Sequence, residues 1–235
     1  MLYLKEFQTE GEYNTYITGS TAFHPNTSIV EGVGVKYEKV LPAGAVDLGL
    51  PSGTLWHKYN LGANSETGYG DYFSWGETTP RGADWQTTAP YDWEHNPIPQ
   101  SVTDWSSYID SSYNLLPDYD VAHVQLGGAW RMPTSGHVQE LIDNTNNEWV
   151  IDYQGSGIKG MTFTSKKDSS KSIFIPAAGY RYNSANREFG SGARLWISTL
   201  DSSGKSKAYD LLLGSGHCLV DVLYRHYGLC VRPVC

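Results

Sequence analysis

Leu195-Trp196-Ile197-Ser198-Thr199 and Tyr227-Gly228-Leu229-Cys230-Val231-Arg232-Pro233-Val234 bracket the C-terminal part of the chain, and their reading decides the fold. Both are short apolar runs rich in β-branched and aromatic residues, the composition of strands. Between them Lys207–Leu213 and Gly216–Val222 read as two further strands. Gly190-Ser191-Gly192 and Gly214-Ser215-Gly216 are turn glycines rather than phosphate loops, because no helix opening with Lys-Ser/Thr follows either.

Working outward, Met161–Thr164 and Ser172–Pro176 read as strands joined by the polar turn Lys166–Lys171, and Ala177–Arg181 leads into a polar loop. Thr134 caps a helix with Val138, Leu141 and Ile142 on one face, ended by Asn144-Thr145-Asn146-Asn147. Pro117–Val124 forms a shorter helix with Asp118 and Asp120 at its favourable N-terminal end. Residues 78–117 hold five prolines together with Trp85, Trp93 and Trp105 and show no periodicity. A loop this long inside a domain is either functional or pinned by its own aromatics. Ala45–Leu48 and Thr54–Gly62 are strand-like, and Gly70–Glu77 is dense in aromatics. Few helices, many short strands and long loops define an α+β chain with a mostly antiparallel sheet.

Residues 1–42 read as a separate small arm, and 43–235 as the main domain, with Pro42-Ala43-Gly44 as the linker. Thr9-Glu10-Gly11-Glu12 is a capping box opening a helix whose apolar side carries Tyr13, Tyr16 and Ile17. Ser28–Val30 and Val33–Tyr37 follow as two strands. The arm resembles the openings of phage-encoded structural proteins of gut bacteria, which implies an attachment or oligomerisation element. The alternative is a hairpin and helix packed on the main domain.

With 235 residues the chain can bury a sizeable core. A formal net charge of −8, with no basic run, argues against nucleic acid and anionic membrane as partners. Met1–Phe7 lacks the basic and apolar regions of a signal peptide, and no window is long and apolar enough to span a bilayer. The three cysteines, Cys218, Cys230 and Cys235, cluster at the end and form no disulfide framework; free thiols are expected, with a Cys218–Cys230 bridge left open. Asp118 and Asp120 lack the further ligands of a calcium loop, and the histidines lack zinc spacing, so neither metal nor cofactor is expected.

Four separated motifs, Asp47–Gly53, Gly70–Glu77, Gly127–Thr134 and the closing Val231-Arg232-Pro233-Val234, stand in the order of one family. Over about residues 46–234 the chain resembles the FISUMP-type major paralogous domain, a C-type-lectin-like fold related to the formylglycine-generating enzymes. The resemblance implies that Trp130 fills the core and that Arg131 and Arg232 satisfy backbone carbonyls. It also implies a display platform rather than an enzyme. The enzyme alternative needs a reactive cysteine pair, for which Cys230 and Cys235 are the candidates, but they straddle the last strand instead of preceding it.

Some members of this fold family are variable proteins of diversity-generating retroelements. Adenine-directed variation of AAC-type codons cannot yield Lys, Glu, Gln, Met or Trp, and none of these occurs from Ala208 to Cys235. The resemblance therefore implies a variable ligand-binding face built from Arg194, Trp196, Ser202, Ser203, Tyr209, His217, Leu219, Asp221, Leu223, Tyr224 and His226. Its partner would be a cell-surface protein or glycan, met from a virion or a bacterial surface as phage receptor binding or adhesion. The alternatives are an ordinary strand–turn–strand with buried Leu and Val, and a virion or fibre subunit that buries residues 211–226 between subunits.

Overall fold

A computed structural model describes residues 26–30, 33–38, 41–81 and 89–235. The chain divides into two compact units, Met1–Ala43 and Gly44–Cys235. In the first, β1 (Asn26–Val30) and β2 (Val33–Glu38) form an antiparallel hairpin whose register shifts between Ser28 and Val30. The helix expected after Thr9 lies outside the described residues.

The second unit is organised by its C-terminal meander, β10 (Gly192–Leu200), β11 (Lys207–Gly214) and β12 (His217–Tyr224), paired in that order and antiparallel throughout. Side chains alternate across a strand, and here both faces of β10 are covered. Ala193, Leu195 and Ile197 enter one apolar cluster; Trp196 and Leu200 enter a second. Two cores thus share one sheet. The first is closed by helix α1 (Ser135–Asn144) and by the antiparallel meander β5 (Thr145–Val150), β6 (Gly160–Ser165) and β7 (Ser172–Pro176). The second is closed by Phe73, Trp75, Ile98, Trp105 and the closing segment's Leu229 and Val231.

Thr134 caps α1 as read from the sequence, accepting from the His137 N–H, while the His137 ring closes the box. Val138 and Leu141 are buried on its inner face. Asn144–Asn147 does not end in a loop, however, because the chain passes directly from α1 into β5. Among the described residues β5 pairs only with β6, and it exposes Asn146, Asn147 and Glu148, so its polar sequence carries no strand signal. In the shorter helix α2 (Val121–Leu126) the cap is Asp120, which accepts from the Ala122, His123 and Met132 N–H groups, and Asp118 lies in the 3-10 turn before it. Likewise the expected polar loop after Tyr180 is the hairpin β8 (Tyr180–Tyr182) and β9 (Ala185–Arg187).

The closing segment is paired on both sides without belonging to a regular ladder. Leu229 exchanges hydrogen bonds with Phe73, Val234 with Arg131, Gly228 with Arg181, and the Cys230 carbonyl accepts from the Trp196 N–H. The ladder of β3 (Ala45–Val46) and β4 (Trp56–His57) adjoins it, Trp56 bridging Val234. Of the expected strand Thr54–Gly62, only Trp56–His57 is regular; Leu55, His57 and Leu61 instead donate to the carbonyls of Cys235, Pro233 and Val231.

Arg232 is buried and fully used: it donates to the His57, Lys58 and Phe174 carbonyls and to Asn60 Oδ1. Arg131 departs from the expectation. Its side chain is exposed, and only its backbone pairs, with Val234. No disulfide joins Cys218, Cys230 and Cys235. Among the described residues no helix is long and apolar enough to cross a membrane.

Candidate functional site

Register sets which residues of the C-terminal meander share a face. One row across it is Arg194–Leu212–Leu219, the next is Trp196–Asp210–Asp221, and a third is Leu200–Ala208–Leu223. Arg194 reaches over the middle row. Its Nη1 donates to Asp210 Oδ2 at 2.8 Å and its Nη2 to Asp221 Oδ2 at 3.1 Å, tying the three strands together. Asp210 is fully buried, and desolvation pushes its carboxyl up to about 7 despite the adjacent guanidinium, with Asp221 and Glu188 adding to the rise. The aspartates hold the Arg194 guanidinium above its ordinary value, although its own burial acts the other way.

Beside this row lies an open groove of about 420 Å³ lined by Glu188, Arg194, Leu212 and His217 together with the β11–β12 turn. Leu219 is 43% exposed in the same row as Arg194. Arg194, His217, Leu219 and Asp221 are therefore brought together at this end of the sheet.

The other end carries a cluster of aromatic rings centred on Tyr227. Its ring lies 5.8 Å from Tyr180, parallel, and 4.6 Å from Tyr182, 4.7 Å from His226 and 6.1 Å from Tyr224. Trp93 extends the cluster, 4.5 Å from His226. Arg194 stands over Tyr180 at 5.8 Å and so joins the two ends. Tyr224 is 42% exposed; Trp93, Tyr180, Tyr182 and Tyr227 are half-buried.

A hydrogen-bonded shell fixes these rings. Arg225 is buried, donates to the Lys205 and Ile98 carbonyls, and lies over both Trp93 and Trp105. Asn96 returns a bond to the Arg225 carbonyl. Arg81 pairs with Glu77 at 2.6 Å and bonds Ser74 Oγ and the His95 carbonyl. Residues 89–105 of the long excursion are thus pinned by arginines as well as by Trp93 and Trp105, and Trp93 comes from there onto the face. Burial pushes the His226 imidazole down to about 4, so the ring is neutral near pH 7.

The remaining expected site residues lie elsewhere. Trp196 is 0% exposed and spends its Nε1–H on the Phe73 carbonyl, so it is core. Tyr209 points to the opposite face and packs on the first core, and Leu223 packs on the second. His226 is only 6% exposed and presents little more than a ring edge. Ser202 and Ser203 are exposed in the β10–β11 turn, where Ser203 bonds the Asp201 carboxylate. Trp93, Tyr180, Tyr182 and Tyr227 were missed. The alternation Tyr180-Arg181-Tyr182 was the available signal, since a strand there puts both rings on one side.

Cys230 is fully buried, its Sγ donates to the Tyr69 carbonyl at 3.2 Å, and desolvation pushes its thiol up to about 12. That direction is opposite to the one a nucleophilic thiolate needs. Among the described residues no three His, Cys, Asp or Glu side chains come together as a metal site. No family model, curated protein or solved structure matches the chain, so its function has to be read from this geometry.

Proposed function

We propose that the protein is a ligand-binding module of C-type-lectin-like fold that engages a receptor from a virion or bacterial surface. The observation that carries this reading is the Tyr227-centred cluster: five ring contacts around one surface, from residues far apart in sequence, held by buried arginines. Tyr and Trp give large contact areas with few rotatable bonds, which is why binding loops favour them. The charged row of Arg194, Asp210 and Asp221 ties the three strands together, and Arg194 reaches the cluster over Tyr180. The adjacency of the closing segment to the β3–β4 ladder supports the finer fold assignment, since it brings the two ends of the domain together.

The variable-protein reading follows the same face. The stretch from Ala208 onward, free of Lys, Glu, Gln, Met and Trp, includes His217, Leu219, Asp221, Tyr224, His226 and Tyr227. The test is binding of the fluorescently labelled full chain to a panel of gut-bacterial isolates. Tyr182→Ala and Tyr224→Ala should each weaken binding at least tenfold while melting with the parent. Equal binding by both variants overturns the reading.

A further inference from the structure

The C-terminal meander has two outer edges, and they differ. That of β10 is paired: the Trp196 N–H donates to the Cys230 carbonyl, and Gly179 bonds both Gly192 and Arg194. That of β12 is open. Its register with β11 runs unbroken from His217 to Tyr224, and the Arg225 N–H continues the ladder by donating to the Ser206 carbonyl. Hydrogen-bonded and non-bonded rungs alternate in an antiparallel pair. Arg225 and the odd-numbered residues of β12 therefore face β11, whereas Cys218, Val220 and Val222 turn their N–H and C=O groups outward. Among the described residues these outward groups meet no partner. Helix α1 leaves them clear, since it packs into the first core on the face where Cys218 and Val220 lie. Every residue of β12 is exposed or half-buried.

Native edges of this kind are usually short, bulged, or guarded by Lys or Pro. β12 runs eight residues with neither, and its one carboxylate, Asp221, is drawn back along the sheet to Arg194. We infer that a protein ligand docks on this edge by laying an extended segment of its own chain beside β12 as a fourth strand of the meander. This rests on the ligand-binding reading and names the partner class for it. Outward donors and acceptors recur at every second residue, about 6.8 Å apart, a repeat that an extended polypeptide returns and a small polar molecule does not. Main-chain bonds are indifferent to sequence. Exchange at His217, Leu219 or Asp221 therefore changes which strand is preferred and leaves the pairing intact. Asp221 binds Arg194 through Oδ2 alone, and its side chain is 37% exposed. A lysine or arginine opposite it gains an ion pair, and an aliphatic residue two positions away covers Leu219, which is 43% exposed. A second copy of this chain fits less well. The two-fold register that engages all the outward groups sets Leu219 against the partner's Asp221, and each copy carries a formal net charge of −8.

The test presents the full chain with a random library of heptapeptides capped at both ends. The expected result is a bound subset in which a basic residue stands two positions from an aliphatic one. The best binder is then N-methylated on alternate residues. Methylating the set that faces β12 should weaken binding at least tenfold, and methylating the other set should leave it unchanged. Val222→Pro removes an outward N–H and no bond of the ladder, so it should weaken peptide binding by roughly tenfold or more while melting within a few degrees of the parent. A library with no bound peptide, or binding that both methylated sets or neither set weakens, overturns the inference. Sedimentation of the parent alone as a dimer that Val222→Pro returns to monomer also overturns it, because the edge then takes a second copy. A last arm separates it from the broader reading, using gut-bacterial isolates that bind the labelled chain. Isolates that hold Val222→Pro as well as the parent, yet lose Tyr224→Ala, overturn strand docking and leave the ligand-binding reading standing.

Discussion

Arg194 and Asp210 are joined across β10 and β11 at 2.8 Å, yet the carboxyl of the pair is harder to ionise than a free one. Burial outweighs the attraction: Asp210 has no exposed surface, its Oδ1 has no partner, and Asp221 and Glu188 add negative charge nearby. A carboxyl raised from 3.8 to about 7 binds its proton more tightly folded than unfolded. Folding stability from this group is therefore greatest at acid pH and declines as pH rises from about 4 to about 7. Asp210→Asn should remove that decline. Relative to the parent, the variant should gain on the order of 1–2 kcal/mol between pH 5 and pH 8, measured by urea unfolding at each pH. Parallel curves for the two proteins would refute the assignment.

His226 has the opposite sign. Its folded value is pushed down to about 4 from 6.5, so the unfolded chain takes up the proton first as pH falls. Its contribution is full above about 6.5 and lost as pH drops towards 4. Over the window from 4 to 6.5 it opposes Asp210, and the two slopes offset one another in the parent. His226→Gln should consequently melt with a steeper loss of stability on going from pH 4.5 to pH 6.5 than the parent. A shallower slope would place the proton elsewhere.

The aromatic cluster depends on Arg225. Replacing it with Met keeps most of the stem but leaves the Lys205 and Ile98 carbonyls without their donor and removes the cation over Trp93 and Trp105. Each unsatisfied buried carbonyl costs about 1–3 kcal/mol. Arg225→Met should lower the melting temperature by roughly 5–10 °C. It should also make the chain from Tyr91 to Trp105 sensitive to limited proteolysis well below that temperature. Unchanged cleavage would mean that the excursion holds itself.

Leu223 and Tyr224 are neighbours in sequence and should part in experiment. Leu223 packs on the second core, whereas Tyr224 is 42% exposed. Leu223→Ala should cost about 2 kcal/mol, the low end for aliphatic truncation because the side chain is only half-buried. Tyr224→Ala should leave stability within about 0.5 kcal/mol of the parent and act on binding alone. Denaturant unfolding of both variants distinguishes them.

What the sequence revealed follows from how local its cause was. Thr134 and the spacing of Val138 and Leu141 announce α1 because capping and amphipathic periodicity are local properties. β5 stayed hidden because Asn146, Asn147 and Glu148 form an exposed edge, whose pairing is decided by β6 fifteen or so residues later. The site divides in the same way. Arg194, His217, Leu219 and Asp221 could be named from the C-terminal strands, but the bond from Arg194 to Asp221 depends on register across β11. Trp196 reads like any surface aromatic until the closing segment is laid beside β10. Trp93 and Tyr182 come from segments that look like loop, and only the fold brings them to His226 and Tyr227.

If the gene's 3′ end is diversified, the sheet dictates where variation is tolerated. Leu195, Ile197, Leu211 and Leu213 are buried, and Val220 packs on the same core, so changes there meet the cost of cavities or overpacking. Arg194, His217, Leu219, Asp221 and Tyr224 reach the other side or the surface, and their replacement leaves that core intact. Deep sequencing of the population carrying the gene should therefore show substitutions with a period of two along β12, at 217, 219 and 221 and not at 218 and 220. Adenine-directed exchange should account for each of them. Variation spread evenly over both faces would contradict a displayed binding surface, because half of it would fall on the core. A uniform 3′ end would instead leave a fixed lectin-like or structural module.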